Sequence, residues 1–276
     1  MFRVQPETMP IDDLPRIGLG TFSEDDRDQW RENVRTALDV GYRHVDTAQG
    51  YDNEQYVGAG LVDADVDRED VFLATKVSTA NLAGEDVLAS TRESLDRLGV
   101  GVVDLLYVHW PHDTYDAEST LPALDRLREE GRVEHVGLSN FTPELLDEAL
   151  AELDAPVAAH QVECHPFLPQ ERLRAHAREH DYWLVAYCPL AKGGVLDDPV
   201  LGDIAEKHDT SPAAVSLAWL LSKDNVAAVP KASSREHMTA NLAARELTLE
   251  DEDIDRIDAI DRRERVIDPS WAPWNR

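Results

Sequence analysis

The sequence predicts an α/β fold in which eight parallel strands and their helices form a single (β/α)8 barrel. Short apolar runs that end in polar residues or glycine recur eight times along the 276 residues, and helical patterns separate them. A chain of this length is typical of a one-domain barrel. The competing doubly wound sheet is not favoured, because Gly18-Leu19-Gly20 lacks a third glycine and a following helix. The predicted domain therefore spans residues 1–276, with a short N-terminal β-hairpin and a C-terminal tail.

The eight apolar runs define the predicted strands. Each is short, and each is bounded by polar residues or glycine, as buried parallel strands usually are. They are Ile17–Gly20, His44–Thr47, Val71–Lys76, Val103–His109, His135–Ser139, Val157–Val162, Trp183–Tyr187 and Val226–Pro230.

Capping signals mark the ends of several predicted helices. Gly41, Gly99 and Gly131 each follow a helical pattern, and glycine in that place is a C-terminal stop signal. Thr142 and Ser211 each precede a proline, which is typical of an N-cap. The predicted helices are Arg27–Val40, Gly84–Leu98, Leu121–Glu130 and Pro143–Leu150, with a further helix that begins at Pro212.

The charge balance is strongly acidic. Asp and Glu number 55 against 27 Lys and Arg, so the formal charge is −28; Asp accounts for 32 of the acids and Lys for only 5 of the bases. Such a charge repels nucleic acids and anionic membranes. It also opposes folding through self-repulsion, unless about 1 M salt shortens the Debye length to about 3 Å. We therefore predict a halophilic protein of a salt-filled cytoplasm, with an ordinary acidic protein as the alternative.

The remaining composition predicts a cytoplasmic protein. The sequence contains no apolar run of about 18 residues that could form a transmembrane helix. The segment Met1–Pro15 carries acids and prolines instead of a signal-peptide pattern. Cys164 and Cys188 are too few for a disulfide framework. We expect a monomer or a weak dimer.

Four polar residues are predicted to meet at one mouth of the barrel, where the carboxyl ends of the strands form the active site. Lys76 and His109 end the third and fourth predicted strands, and Asp46 closes the second together with Thr47. Tyr51 lies in the loop above the second strand. Taken singly, these residues have structural explanations: Asp46 could cap a turn, Lys76 could extend into solvent, and the ring of His109 could simply be packed. Together they suggest a common chemistry.

That chemistry suits the reduction of a carbonyl group. Tyrosine, with an ordinary pKa of about 10, is a weak acid at neutral pH, and a nearby ammonium lowers this pKa. Lys76 can supply the ammonium, and Asp46 can keep Lys76 ionised and oriented. His109 can hydrogen-bond to the substrate oxygen. The set predicts a proton donor and a polarising pocket for an oxygen that gains negative charge.

Motifs spread over nearly the whole chain resemble those of the aldo-keto reductase superfamily. In chain order they are Gly41-Tyr42-Arg43-His44-Val45-Asp46-Thr47-Ala48-Gln49-Gly50-Tyr51 with Asn53-Glu54, the strand-end Lys76, residues 104–111, residues 131–141, Gln161-Val162-Glu163 with His165-Pro166, residues 187–190, and Pro230-Lys231. Within the superfamily they resemble bacterial and archaeal reductases of small dicarbonyls and keto-sugars.

The resemblance implies an NAD(P)H-dependent oxidoreductase that reduces aldehydes or ketones to alcohols, with Tyr51 as the proton donor beside Asp46, Lys76 and His109. The implied cofactor contacts are Ser139, Asn140 and Gln161 on the carboxamide, Tyr187 on the nicotinamide ring, Gly20 and Thr21 near its ribose, Leu190 beside the pyrophosphate, Lys231 and Ser233 at the adenosine phosphate, and Asn241 near the adenine. The implied walls of the substrate pocket are Phe22, Trp110, Trp271 and Trp274.

One departure from the superfamily bears on the choice of cofactor. An arginine often grips the 2′-phosphate of NADP three positions after the residue that is Ser234 here, but this chain has His237. A neutral imidazole cannot replace a bidentate guanidinium on phosphate, and Arg235 is the alternative contact. We therefore predict NADP(H) as the cofactor, with tolerance for NAD(H).

Two other functions compete with this prediction. One is a non-catalytic NADP-binding barrel subunit, which would leave Tyr51 and Lys76 without a role. The other is a metal-dependent barrel hydrolase. Its ligands would come from His109, His112 and Asp113, or from His160, Cys164 and His165. Neither set has a recognised ligand spacing, so no metal is predicted.

Overall fold

Eight parallel strands form the centre of the fold in the computed structural model, which describes residues 11–12, 14–22 and 27–275. Each strand pairs with the next one in the chain. Parallel bridges from Ile17 to Ala228 and from Gly20 to Lys231 join the last strand to the first, so the sheet closes on itself. The strands are β1 (Leu19–Gly20), β2 (His44–Asp46), β3 (Phe72–Val77), β4 (Val103–Val108), β5 (Val133–Ser139), β6 (Val157–Glu163), β7 (Trp183–Tyr187) and β8 (Val226–Ala228).

Helices cover the outside of this sheet. They are α1 (Trp30–Asp39), α2 (Glu54–Asp63), α3 (Gly84–Leu98), α4 (Ala117–Glu129), α5 (Pro143–Glu152), α6 (Glu171–Glu179), α7 (Pro199–Lys207), α8 (Pro212–Leu221), α9 (Arg235–Ala243) and α10 (Asp251–Asp258). The strand–helix alternation confirms the predicted α/β fold with eight parallel strands. In the described part of the chain, no helix has the length and apolar character needed to cross a membrane.

Local capping accounts for the predicted helix ends. The Thr142 and Ser211 side chains accept hydrogen bonds from the backbone N–H groups of Leu145 and Ala214, at 3.4 and 3.2 Å. Gly99 ends α3 with a φ of 70°, in the left-handed region that glycine enters without strain. The α4 prediction was wrong at its start: the helix begins at Ala117 and keeps Pro122 inside, although proline removes one helical hydrogen bond.

Two apolar layers position the site. The larger lies between the sheet and the helices, and the smaller fills the interior of the barrel. Ile11 and Leu14 belong to the inner layer, and Trp183, at the start of β7, donates its indole N–H to the Ile11 carbonyl at 2.9 Å. This segment therefore covers the amino-terminal mouth of the barrel and leaves the carboxyl mouth for the site. The predicted N-terminal β-hairpin is not confirmed: within residues 11–12 and 14–22 the only strand is the parallel β1, and residues 1–10 lie outside the described residues.

Candidate active site

The structure brings the four predicted catalytic residues together at the carboxyl mouth. Asp46 ends β2, and Lys76 is the penultimate residue of β3. His109 directly follows β4, and its backbone N–H donates to the Val77 carbonyl at 3.2 Å. Tyr51 ends a short 3-10 turn between β2 and α2. Adjacent parallel strands thus deliver three of the side chains, and the loop above β2 delivers the fourth.

A buried relay of hydrogen bonds connects three of them. The Lys76 Nζ donates to Asp46 Oδ1 at 2.5 Å, to the Thr47 carbonyl at 2.8 Å and to Tyr51 Oη at 3.4 Å. Gln161 Nε2 donates to the other Asp46 oxygen at 2.7 Å. Lys76 and Asp46 are both buried. Tyr51 and Asp46 both line the cavity, so the ion pair borders it directly and is also connected to it through the Tyr51 hydroxyl.

The charge of Lys76 is maintained by its neighbours. Burial acts to lower the pKa of Lys76, but the charges and hydrogen bonds of Asp46 and Tyr51 outweigh it, so the pKa is raised. Lys76 therefore stays an ammonium beside the Tyr51 oxygen throughout the neutral range.

Tyr51 differs in one respect from the sequence prediction. The Lys76 ammonium does act to lower the pKa of Tyr51, as predicted, but burial has the larger effect and the net pKa is raised. The sequence predicted the effect of the ammonium but could not reveal how far the phenol is desolvated, which decides the direction of the net shift in pKa. A phenol with a raised pKa remains protonated at neutral pH, which is the state a proton donor needs.

His109 is held in its neutral form. Burial and the Lys76 charge lower the pKa of His109 to about 3. Its ring lies 5.7 Å from the Tyr51 ring, at an angle of 77°. Its backbone carbonyl accepts a hydrogen bond from Asn140 Nδ2 at 3.0 Å, which ties the end of β4 to the end of β5. A neutral imidazole can donate a ring N–H to a substrate oxygen without adding charge.

The pH profile of the reaction should reflect both residues. Protonated Tyr51 is the active form in reduction, so its raised pKa keeps kcat/KM level through neutral pH and lets it fall only above about pH 10. His109 should contribute no titration near the ordinary imidazole pKa of about 6.5. The measurement is kcat/KM for carbonyl reduction against pH. A rate that followed an ionisation near pH 6.5 would contradict a neutral His109.

A cavity of about 610 Å³ opens above the relay. Its lining includes eight of the predicted cofactor residues: Gly20, Thr21, Ser139, Asn140, Gln161, Tyr187, Leu190 and Lys231. Asn140 links several of them, since its Nδ2 donates to Ser139 Oγ at 3.0 Å and its Oδ1 accepts from Tyr187 Oη at 2.8 Å. The ends of β5, β6 and β7 therefore form one polar wall.

Four predicted cofactor residues are not among the described residues that line this cavity. Ser233, Arg235 and His237 are exposed at the start of α9, and Asn241 is buried further along that helix. The Arg235 guanidinium lies 3.5 Å from the Asp39 carboxylate at the end of α1. Their contacts with the adenosine end of a dinucleotide stay predictions.

The predicted aromatic walls separate into two groups. Phe22 and Trp110 line the cavity, and the Phe22 ring contacts Tyr51 edge-on at 5.2 Å. Trp271 packs against Trp110 at 5.0 Å. Trp274 packs on the same ring at 5.5 Å but lines a second cavity of about 480 Å³. The tail tryptophans thus support the wall that Trp110 forms.

Sequence reasoning missed the role of Glu163. Its carboxylate accepts hydrogen bonds from the backbone N–H groups of Val266, at 2.6 Å, and Ile267, at 2.8 Å. The fully buried His165 lies 3.0 Å from the same carboxylate. Because Ile267 lines the cavity, Glu163 fixes the C-terminal tail where it borders the site. Cys188, Lys192 and Gly193 also line the cavity and were not predicted to contact the cofactor.

The two histidine sets considered as metal ligands do not form metal sites, and two of their histidines have other partners. His160 Nε2 accepts from the Phe141 backbone N–H at 3.2 Å, and His165 contacts Glu163. Throughout the described residues, neither set brings three ligand atoms together as a metal site requires. The structure gives the hydrolase hypothesis no support.

At the carboxyl mouth of this parallel barrel, a buried lysine and aspartate lie beside a cavity-facing tyrosine and a neutral histidine. This arrangement defines an oxidoreductase that acts on carbonyl groups. The chain belongs to the aldo/keto reductase family, whose family model matches residues 16–262. Its class of activity is the reduction of carbonyl groups to alcohols.

Individual relatives agree with this assignment. The chain is similar to the methylglyoxal reductase DkgB of Escherichia coli O157:H7, with 38% identity over 93% of this chain and 96% of that protein. It is 37% identical to the glyoxal reductase of Bacillus subtilis strain 168, over 92% of this chain and 91% of that protein. The crystal structure of a putative 2,5-diketo-D-gluconic acid reductase B superposes with a TM-score of 0.89, at 34% identity, over 94% of this chain and 92% of that one.

Proposed function

We propose that this protein reduces small dicarbonyls or keto-sugars with NADPH, accepts NADH as well, and uses Tyr51 as the proton donor. The observation that supports this most directly is the Asp46–Lys76–Tyr51 relay, which meets the cavity beside His109. The methylglyoxal and glyoxal reductase relatives support the substrate class.

Each member of the relay has one task. The reduced nicotinamide, when bound, supplies the hydride. Tyr51 donates its Oη proton to the substrate oxygen, and the Lys76 ammonium, 3.4 Å away, stabilises the phenolate that remains. Asp46 holds Lys76 in place. His109, being neutral, donates a ring N–H to the same substrate oxygen and stabilises the charge that develops there.

The cavity fits an anionic dinucleotide. Its charged lining residues in the described part of the chain are Asp46, which Lys76 neutralises, and the two lysines Lys192 and Lys231. Positive charge at one cavity in a chain of net charge −28 favours a phosphate-bearing ligand. Thr21 lines the cavity, and its buried hydroxyl has no hydrogen-bond partner among the described residues; a ribose hydroxyl would provide one.

Loss of NADPH absorbance with methylglyoxal, in about 1 M KCl, tests the proposal. Turnover supports the reductase. NADPH binding without turnover on any of a panel of small carbonyls would favour the non-catalytic subunit instead. Stoichiometric zinc, together with activity that a chelator abolishes, would favour the hydrolase.

Cofactor selectivity should be modest. His237 offers no guanidinium for the 2′-phosphate, and the nearby Asp39 partly neutralises Arg235. We expect the NADH rate to exceed about a thousandth of the NADPH rate, which limits the difference to roughly 4 kcal/mol. His237→Arg and Asp39→Asn should each raise kcat/KM for NADPH and leave that for NADH unchanged. A substitution that altered both cofactors equally would contradict a contact with the 2′-phosphate.

The protein should also depend on salt. Raising KCl from about 0.1 to about 1 M shortens the Debye length from about 10 to about 3 Å and screens repulsion among the surface carboxylates. We expect the melting temperature and activity to rise over this range and then level off, because screening is nearly complete by its upper end. Thermal unfolding at stepped KCl concentrations measures this. Full activity and an unchanged melting temperature at about 0.1 M would refute halophily.

A further inference from the structure

Two histidines and one aspartate form a cluster on the outer helices, apart from the cavity. His176 lies in α6, His180 directly follows that helix, and Asp147 lies in α5. One ligand atom from each lies within 4.8 Å of the others. Because α6 ends just before β7 begins, its final turn lies toward the amino-terminal end of the barrel, opposite the active-site mouth. None of these three residues has a role in the proposed carbonyl reduction.

The contacts around His176 orient its ring. Its Nδ1 lies 2.8 Å from Tyr182 Oη, and its Nε2 lies 3.1 Å from Asp147 Oδ1. When Nδ1 donates its proton to the tyrosine oxygen, Nε2 presents a lone pair to the carboxylate. A cation between Nε2 and the Asp147 carboxylate would accept both lone pairs. The hydrogen bond from Nδ1 would then orient the ring, as such a bond usually does for a metal-bound histidine.

His180 completes the set. Its ring stacks on His176 with centroids 4.3 Å apart, and no hydrogen bond to its ring nitrogens is present among the described residues. A tetrahedral ion with ligands at about 2.0–2.1 Å separates its ligand atoms by roughly 3.3 Å. The pair formed by His176 and Asp147, at 3.1 Å, already has nearly this spacing, and a His180 ring nitrogen lies within 4.8 Å of both ligand atoms.

We propose that Asp147, His176 and His180 bind one divalent transition-metal ion, of which Zn²⁺ is the representative, with solvent as the fourth ligand. Imidazole and carboxylate together suit Zn²⁺, Co²⁺ or Ni²⁺, whereas Mg²⁺ and Ca²⁺ prefer oxygen ligands alone. The ion links α5 to α6 and stabilises the fold by binding only the native state. It takes no part in carbonyl reduction.

The test is a titration of tag-free, metal-stripped protein with Zn²⁺ by calorimetry and with Co²⁺ by visible absorbance, together with the melting temperature. We expect one ion per chain and a higher melting temperature with the ion. Asp147→Asn and His180→Gln should each weaken binding about tenfold or more and abolish the thermal shift. The matched control is Asp181→Asn, which removes the same charge beside His180 without removing a ligand. Asp181 has a φ of 53°, a region that asparagine tolerates.

Three outcomes would overturn the proposal. The first is the absence of saturable binding by the wild-type chain. The second is an Asp181→Asn chain that loses affinity as much as the Asp147→Asn chain does, since the attraction would then be general electrostatics. The third is binding that survives both ligand substitutions. None of these readouts depends on turnover, so they stand apart from the test of the reductase.

Discussion

Replacing Tyr51 with phenylalanine should lower kcat for carbonyl reduction by about 10²- to 10⁴-fold, the usual contribution of a positioned general acid. The substitution removes only the hydroxyl that accepts from Lys76 at 3.4 Å. The ring contacts with Phe22 and His109, at 5.2 and 5.7 Å, remain possible. Cofactor affinity should therefore be retained, and the loss should fall on the chemical step.

Tyr56→Phe is the matched control for that experiment. Tyr56 is partly buried in α2 and packs against the outer core, and it is not among the described residues that line the cavity. Loss of its hydroxyl should leave kcat unchanged. Steady-state kinetics and a separate NADPH-binding titration distinguish the loss of proton transfer from the loss of cofactor binding. Near-normal turnover of the Tyr51→Phe protein would remove Tyr51 from the donor role.

The catalytic set could be predicted because each member is tied to a local feature of the sequence. Asp46 and Lys76 lie at or next to the ends of apolar runs, and His109 directly follows one, so a parallel barrel must place all three at one mouth. The C-terminal end of helix α3 was predicted because Gly99 is an unambiguous stop signal. Periodicity and caps are encoded within a few residues, so they can be predicted from one sequence.

Other features depend on contacts between distant segments. Glu163 accepts from Val266, 103 positions along the chain, and no local pattern indicates that the C-terminal tail returns to β6. The same holds for Asp39, which lies 196 positions before Arg235. The raised pKa of Tyr51 is also a tertiary property, since burial by surrounding segments outweighs the charge of Lys76.

Replacing Lys76 with methionine should destabilise the protein by about 3–5 kcal/mol and also impair reduction strongly. Lys76 and Asp46 are both buried, and removal of one partner leaves a buried charge without compensation. The raised pKa of Lys76 means that the stabilisation is fully present below the unfolded-state value of about 10.5 and is lost as pH rises through the folded-state value. Denaturation at neutral pH therefore measures the whole effect.

The double variant Lys76→Met/Asp46→Asn separates stability from catalysis. It removes both charges of the Asp46–Lys76 pair, and the asparagine side chain can still accept the Gln161 hydrogen bond made at 2.7 Å in the native protein. We expect most of the lost free energy of unfolding to return, because a buried ion pair is replaceable by neutral groups. Activity should stay about 10²- to 10³-fold low, since no ammonium stabilises the Tyr51 phenolate. Recovery of both stability and kcat in the double variant would mean that the pair has only a structural role; recovery of stability alone assigns Lys76 to the proton transfer.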